Sequence, residues 1–178
     1  MENRMPQLVT CTLERHGAAI LAIFNDAILN STALYDYHPR APESMPAWFA
    51  VKHASGFPVI GFEDDDGALL GFASYGTFRA FPAYKYSVEH SVYVRQGQRG
   101  AGLGRALLEQ IIALARANGV HTLIGGIDAS NDASIALHTR LGFTHAGTIA
   151  QAGFKFGRWL DLAFYQLLLE TPLAPVDG

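Results

Sequence analysis

Cysteine occurs once in the 178 residues, at Cys11, which excludes an internal disulfide and any zinc site built from several thiolates. Lysine is also scarce: three of the thirteen basic residues are Lys and ten are Arg, a choice that favours planar, bidentate recognition of carboxylate or phosphate. Charge of one sign is lacking, with 16 acidic and 13 basic groups giving a net charge of -3. That balance speaks against a nucleic-acid footprint or a membrane-binding surface and leaves small molecules as the expected partners. No apolar run approaches the roughly 18 residues that span a bilayer, and "MENRMPQLVTCTLER" has no signal-peptide h-region. A cytoplasmic protein is therefore expected. Internal repeats, low-complexity tracts and linkers are missing as well.

What is present is a 49% hydrophobic composition, sufficient for one compact domain over 1–178 that buries roughly two-thirds of its unfolded surface. Leu8 to Leu13 alternates as a strand does, and "RHGAAILAIFNDAILN" has helical spacing through Ile20, Ile23, Phe24, Ala27 and Ile28. A turn-rich stretch carrying Tyr35, Tyr37, His38 and Arg40 leads to a short helix at "SMPAWFAVKHASG". Phe57–Glu63 and Ala68–Tyr75 are expected strands, joined by a solvated "DDDG" turn rather than a cation site. "SVEHSVYV" alternates with Val88, His90, Val92 and Val94 on one face and Glu89, Ser91 and Tyr93 on the other. A helix striped by Leu103, Leu107, Ile111 and Leu114 closes at Gly119; "HTLIGGID" is the next strand, and "SNDASIALHTRLGF" is a capped short helix with a Gly142 stop. Two terminal strands flank "GFKFG", and residues 171–178 are expected to fray. The order β-α-α-β-β-β-α-β-α-β-β predicts a mixed α/β domain.

The segment "QRGAGLGRALLEQ", Gln98 to Gln110, joins a strand to a helix through three glycines in five residues. Exposed N–H groups and the helix dipole make such a junction an anion site. A dinucleotide loop would need glycine at Arg105 after Gly100 and Gly102, and a nucleotide-triphosphate loop would need a Gly-Lys-Ser/Thr ending, so both are excluded. What remains is R-x-x-G-x-G, from Arg99 to Gly104.

With its preceding strand and following helix, "VYVRQGQRGAGLGRALL" resembles the acyl-CoA-binding signature of the GNAT superfamily of acyltransferases. "NDASIALHTRLGF" is similar to that superfamily's Asn…Tyr-x-x-x-Gly-Phe segment, with His138 in the tyrosine's place. Together with "SVEHSVYV", "FRAF" and "KFGRWLDLAFYQ", it makes the chain resemble the phosphinothricin and methionine sulfoximine N-acetyltransferases from about Ile23 to Leu169. The resemblance implies the GNAT fold, a mixed and mostly antiparallel central sheet flanked by helices. It also implies acetyl-CoA as cosubstrate, no metal, and a homodimer. The implied cofactor bed is Val92, Tyr93 and Val94 with Arg99, Gly100, Ala101, Gly102, Leu103, Gly104 and Arg105, joined by Asn131, Ser134 and Arg140.

Glu89 matches the glutamate that this family uses as base, and His138 is the second catalytic candidate, assisting either the incoming amine or the departing sulfur. An amine must lose a proton before it attacks a thioester, which a carboxylate of raised pKa accepts directly or through water. A backbone N–H of Ser91 to Tyr93 is expected to hold the oxyanion. Arg79 matches an arginine near the family's acceptor, where a guanidinium pairs bidentately with a carboxylate. Ala80, Phe81, His90, Ser91 and Tyr35 complete the expected substrate contacts, with Arg40, Lys155 and Trp159 behind them. His16, His53, His121 and His145 lack metal spacing and are expected to be structural or exposed. Cys11, distant in sequence from every motif, is expected to be a small buried residue, which favours direct transfer over a ping-pong route. Two alternatives stay open: acetylation of another amine, such as a polyamine, an aminoglycoside or a protein N-terminus, and a non-catalytic acyl-CoA sensor.

Overall fold

The computed structural model describes residues 6–177. Its elements follow the expected order: β1 (Gln7–Thr10), α1 (Leu13–Asn30), α2 (Ser44–Ala54), β2 (Val59–Glu63), β3 (Leu69–Thr77), β4 (Ser87–Val94), α3 (Leu103–Ala117), β5 (Thr122–Asp128), α4 (Asp132–Arg140), β6 (Thr144–Lys155) and β7 (Arg158–Leu168). A 3-10 turn at Pro82–Tyr84 is the one addition. β1 ends earlier than its alternation implies, because Thr12 caps α1 by accepting the Arg15 N–H on its hydroxyl at 3.3 Å. The chain contacts divide it into two compact units, one running to Tyr75 and including Ser91–Gln110, the other made of Gly76–His90 and the chain from Ile111 onward.

In the first unit β2 pairs antiparallel with both β1 and β3, and a bulge interrupts the β2–β3 ladder at Phe62/Glu63. The apolar stripe of α1 buries Ile20, Ile23 and Phe24 against Val59, Leu69 and Phe72. Phe24 meets Trp48, Phe72 and Tyr93 edge to face at 5.0–5.5 Å between ring centres. Burying a ring of this size contributes about 1.5–3 kcal/mol, and edge-to-face contacts add to it. The "DDDG" segment is the expected turn, with Asp64 Oδ1 accepting the N–H groups of Asp66 and Ala68.

In the second unit the start of β4 pairs in parallel with β5, from Ser87/Thr122 to Glu89/Ile124. β5 pairs antiparallel with β7, and β7 with β6. The β1–β2, β2–β3, β5–β7 and β6–β7 pairings are antiparallel and β4–β5 is parallel, the mixed arrangement expected from the sequence. Residues 171–177 carry no helix or strand, yet they are tied down: the Thr171 hydroxyl donates to Val120 O, and the Tyr86 hydroxyl bonds both the N–H and the carbonyl of Val176. Residue 178 lies outside the described residues.

Candidate active site

The glycine loop belongs to the first unit. β3 approaches the end of β4 closely: a Cβ on Gly71 would stand 2.8 Å from Tyr93 O and 3.2 Å from Val94 Cα, so only glycine fits there. Val92, Tyr93 and Val94 are half-buried, and Arg95 N–H donates back to Leu70 O at 2.8 Å. Beyond them Gly100 and Gly102 have φ of 86° and 80°, with open space where a Cβ would sit. Glycine is required there by backbone conformation and not by crowding.

Gly102 O accepts from Ala106 N at 3.0 Å, which starts α3. The N–H groups of Leu103, Gly104 and Arg105 then lie in the first turn, where an α-helix offers no internal acceptor. Leu103 is buried and pins the turn, while Gly100 and Ala101 are exposed, and the first turn carries no acidic side chain to occupy the amides. Arg99 is 3.5 Å from Asp26 and Arg105 is 2.8 Å from Glu109, both arginines being mostly exposed. Such surface pairs hold weakly, so the two guanidinium groups are available to a phosphate. The loop therefore fits a pyrophosphate.

The titratable groups gather in the second unit. Glu89 and His90 are consecutive on β4 and so face opposite sides of the strand. Glu89 is exposed, but its Oε1 lies where a Cβ on Gly126 would come within 2.9 Å, beside Leu162 and Phe164. Packing around the carboxyl pushes its pKa above the ordinary 4.5. That is the direction a proton acceptor for amine chemistry requires.

On the other face His90 and His138 are each only 6% exposed, and their Nε2 atoms stand 2.8 Å apart. His138 Nδ1 is 2.7 Å from Ser134 O, one turn back on α4. Phe143 packs against both rings, 5.2 Å from His90 and 5.0 Å from His138. Burial lowers both imidazole pKa values, that of His90 to about 3, with the neighbouring His138 adding to the effect and the Ile124 backbone opposing it.

The remaining predicted residues divide clearly. Asn131 caps α4, its Oδ1 accepting Ser134 N–H at 3.1 Å, so the polar face read from Asn131, Ser134 and His138 is first a local hydrogen-bonding unit. Arg140 is exposed at the end of the same helix. Arg79, Ala80 and Phe81 are exposed between β3 and β4, with the Arg79 guanidinium 6.0 Å from the Phe78 ring. Ser91 is half-buried and Tyr35 exposed. His90, expected among the substrate contacts, is instead buried against His138. Arg40 is held by Asp36 and lies over the Phe24 ring, Trp159 meets Phe154 edge to face, and Lys155 is buried.

Of the histidines expected to be structural or exposed, His16 is buried on Glu63, while His53, His121 and His145 are exposed. Two contributors escaped the sequence reading, Gly125 and Gly126. A Cβ on Gly125 would stand 3.0–3.3 Å from the two imidazoles, and one on Gly126 would crowd Glu89. Paired glycines inside a strand pattern are the signal of such a close approach. No group of three or more His, Cys, Asp or Glu among the described residues is arranged to hold a metal ion.

Comparison with known proteins agrees with this chemistry. Residues 22–143 match the family model described as "Acetyltransferase (GNAT) family". An L-methionine sulfoximine/L-methionine sulfone acetyltransferase of Pseudomonas paraeruginosa is 49% identical over 88% of this chain and 91% of its own. Among solved structures, an N-acetyltransferase from Staphylococcus aureus Mu50 superposes with a TM-score of 0.90 at 47% identity, covering 93% of this chain and 99% of that one. A GNAT superfamily phosphinothricin acetyltransferase from Sinorhizobium meliloti, in complex with AcCoA, does so with a TM-score of 0.91 at 34% identity, covering 97% and 93%.

Proposed function

The chain belongs to the acetyltransferase (GNAT) family and is an acyl-CoA-dependent N-acetyltransferase, and on that premise we propose that it acetylates the α-amine of a small amino acid or analogue. Methionine sulfone, methionine sulfoximine and phosphinothricin are the acceptors of choice. The acceptor class rests on the likeness to the methionine sulfoximine/sulfone acetyltransferase over nearly the whole chain. The catalytic assignment is carried by one observation: a carboxylate of raised pKa, Glu89, on the strand that leads directly into the loop fitted to a pyrophosphate.

Acetyl-CoA supplies the activated acetyl group. The amides of Gly100 to Arg105 and the side chains of Arg99 and Arg105 bind its phosphates, and backbone groups of Val92 to Val94 bind its arm. We assign Asn131, Ser134 and Arg140 to cofactor binding as well, on the likeness to the family. Glu89 accepts a proton from the attacking nitrogen, and a backbone N–H in Ser91–Tyr93 holds the carbonyl oxygen as it gains charge. Arg79 anchors the acceptor's carboxylate, and Ala80, Phe81 and Tyr35 are assigned to acceptor binding with it.

Transfer is direct. Cys11 is the only thiol, and burial, aided by the Glu63 charge, pushes its pKa up to about 12. A thiol so reluctant to ionise is no acyl acceptor. We also propose a homodimer: Phe154, Phe156 and Trp159 are exposed around the β6–β7 hairpin, an apolar patch of the kind that marks interfaces. Its mass in solution tests that assignment. No helix among the described residues is long and apolar enough to cross a membrane, and we assign the reaction to the cytoplasm.

The acceptor is tested by following thiol release from acetyl-CoA across a panel of amino acids, the three analogues, a polyamine and an N-terminal peptide. Turnover is expected with the amino-acid analogues and is expected to fall sharply in Arg79→Ala. Coenzyme A binding without turnover on any amino acid would overturn the assignment. Activity on an acceptor lacking a carboxylate, unchanged by Arg79→Ala, would move it to another amine.

A further inference from the structure

We propose that His90 is a positioning residue that holds His138 in a single neutral tautomer, proton on Nδ1 and Nε2 bare, so that this nitrogen presents a lone pair and has no proton to supply to the departing thiolate. The step this concerns rests on the acetyl-transfer reading above. The tautomer itself follows from hydrogen-bond accounting within the second unit.

A carbonyl oxygen can only accept, so the 2.7 Å contact between His138 Nδ1 and Ser134 O requires the proton on Nδ1. A neutral imidazole carries one N–H, which leaves His138 Nε2 as a lone pair. The 2.8 Å contact between the two Nε2 atoms needs one proton, and it must come from His90. His90 Nδ1 is then bare. It is a buried side-chain atom that makes no hydrogen bond of ordinary geometry among the described residues, although the nearby Ile124 backbone favours the protonated ring.

The reverse arrangement, with a cationic His138 donating to His90, would place a buried charge among neutral groups. Ile124 and Gly125 of β5, Phe143 and Ser134 lie against the pair, and none is ionisable. Glu89, the ionisable neighbour on β4, points to the opposite face of the strand. Burial opposes the charge as well.

The proton count of the reaction fits this assignment. An α-amine, with an ordinary pKa of about 7.7–8.0, arrives at neutral pH largely as an ammonium with three protons, and the product amide keeps one. The N–C bond forms, the C–S bond breaks, the sulfur leaves with the electron pair, and two protons must be accepted. Glu89 accepts one and water the other. The thiolate is protonated by water.

The ring-nitrogen NMR spectrum of the full-length protein, histidine-labelled and free of ligand, is the direct test. His138 should appear as the Nδ1–H tautomer and His90 as the Nε2–H tautomer, neither titrating between about pH 5.5 and about pH 8. An Nε2–H or cationic His138 in that range would overturn the proposal. This reading is independent of turnover, so it stands apart from failure of the acceptor assignment.

In the pH profile of kcat, wild type should rise to a plateau. A descending limb that vanishes in His138→Asn would show His138 acting as an acid and would also overturn it. His90→Phe, which removes the donor, should abolish the single His138 tautomer in the ring-nitrogen spectrum, whereas His90→Gln keeps an N–H and the Nδ1–H tautomer. Identical spectra for the two His90 variants would mean that the donor has no such role. Where His90→Phe does not fold, the spectrum of His90→Gln carries the test: His138 should keep its Nδ1–H tautomer.

Discussion

Two buried histidine clusters, one in each unit, are nearly equal in depth and opposite in chemistry. In the first unit His16 is 3% exposed. Its Nδ1 accepts Thr12 N–H at 2.9 Å, so Nε2 carries the proton and donates to Glu63 Oε1 at 2.9 Å, while the other Glu63 oxygen takes Arg15 at 2.6 Å. Both nitrogens of this ring are committed to permanent partners. In the second unit the His90–His138 pair has no counter-charge, leaves one nitrogen unpaired, and commits the Nε2 of His138 only to another imidazole. Burial alone therefore does not mark a functional histidine. The difference lies in whether its lone pairs are occupied by backbone and carboxylate or held by a partner that can be exchanged.

Substitutions that act on one cluster alone sharpen the contrast. The largest effect is expected at Glu89, beside the uncharged pair: Glu89→Gln should lower kcat by about 10²–10⁴ while the Kd for acetyl-CoA changes less than about twofold, because a proton acceptor is lost and the binding loop is untouched. Steady-state rates alongside calorimetric titration check this, and an unchanged kcat would remove Glu89 from the mechanism. Next is Glu63→Ala, which orphans the buried His16 N–H. It should cost about 1–3 kcal/mol of stability by denaturant unfolding and leave kcat intact below the transition. A loss of kcat without a loss of stability would erase the distinction between the clusters.

Smallest is the pH dependence of folding. The His90 and His138 pKa values are lowered in the folded state, so below about pH 6.5 the unfolded chain binds protons that the folded chain does not. Stability contributed by these rings is complete above that pH and is lost as pH falls toward the folded values, by at most about 1.4 kcal/mol per pH unit for each ring. Unfolding curves between about pH 7 and about pH 5 should show this slope, and His90→Phe should make it shallower. An unaltered slope would mean that the pair is not neutral in the folded protein.

The element order was fully legible in the sequence, and β4 matched "SVEHSVYV" at both ends, because strand and helix periods are written in consecutive residues. The alternation of that strand also put Glu89 and His90 on opposite faces. What lay hidden were partners brought together from distant segments: His90 with His138 across 48 positions, and His16 with Glu63 across 47. Gly125 and Gly126 were visible as residues, but their purpose was not, since the side chains that occupy the missing Cβ space come from β4 and α4. Asn131 and Ser134 were legible as one face of a capped helix, whereas the use of the Ser134 carbonyl in orienting His138 was not.

The sequence by itself determined the cofactor. The glycines that demand a positive φ, the strand before them and the helix start after them are contiguous, and a local run of backbone amides is all that a pyrophosphate needs. Only the tertiary structure decided the protonation of His138. A tautomer is set by which donors and acceptors surround each nitrogen, and here the deciding groups, His90 on β4 and the Ser134 carbonyl on α4, meet only when the chain has folded.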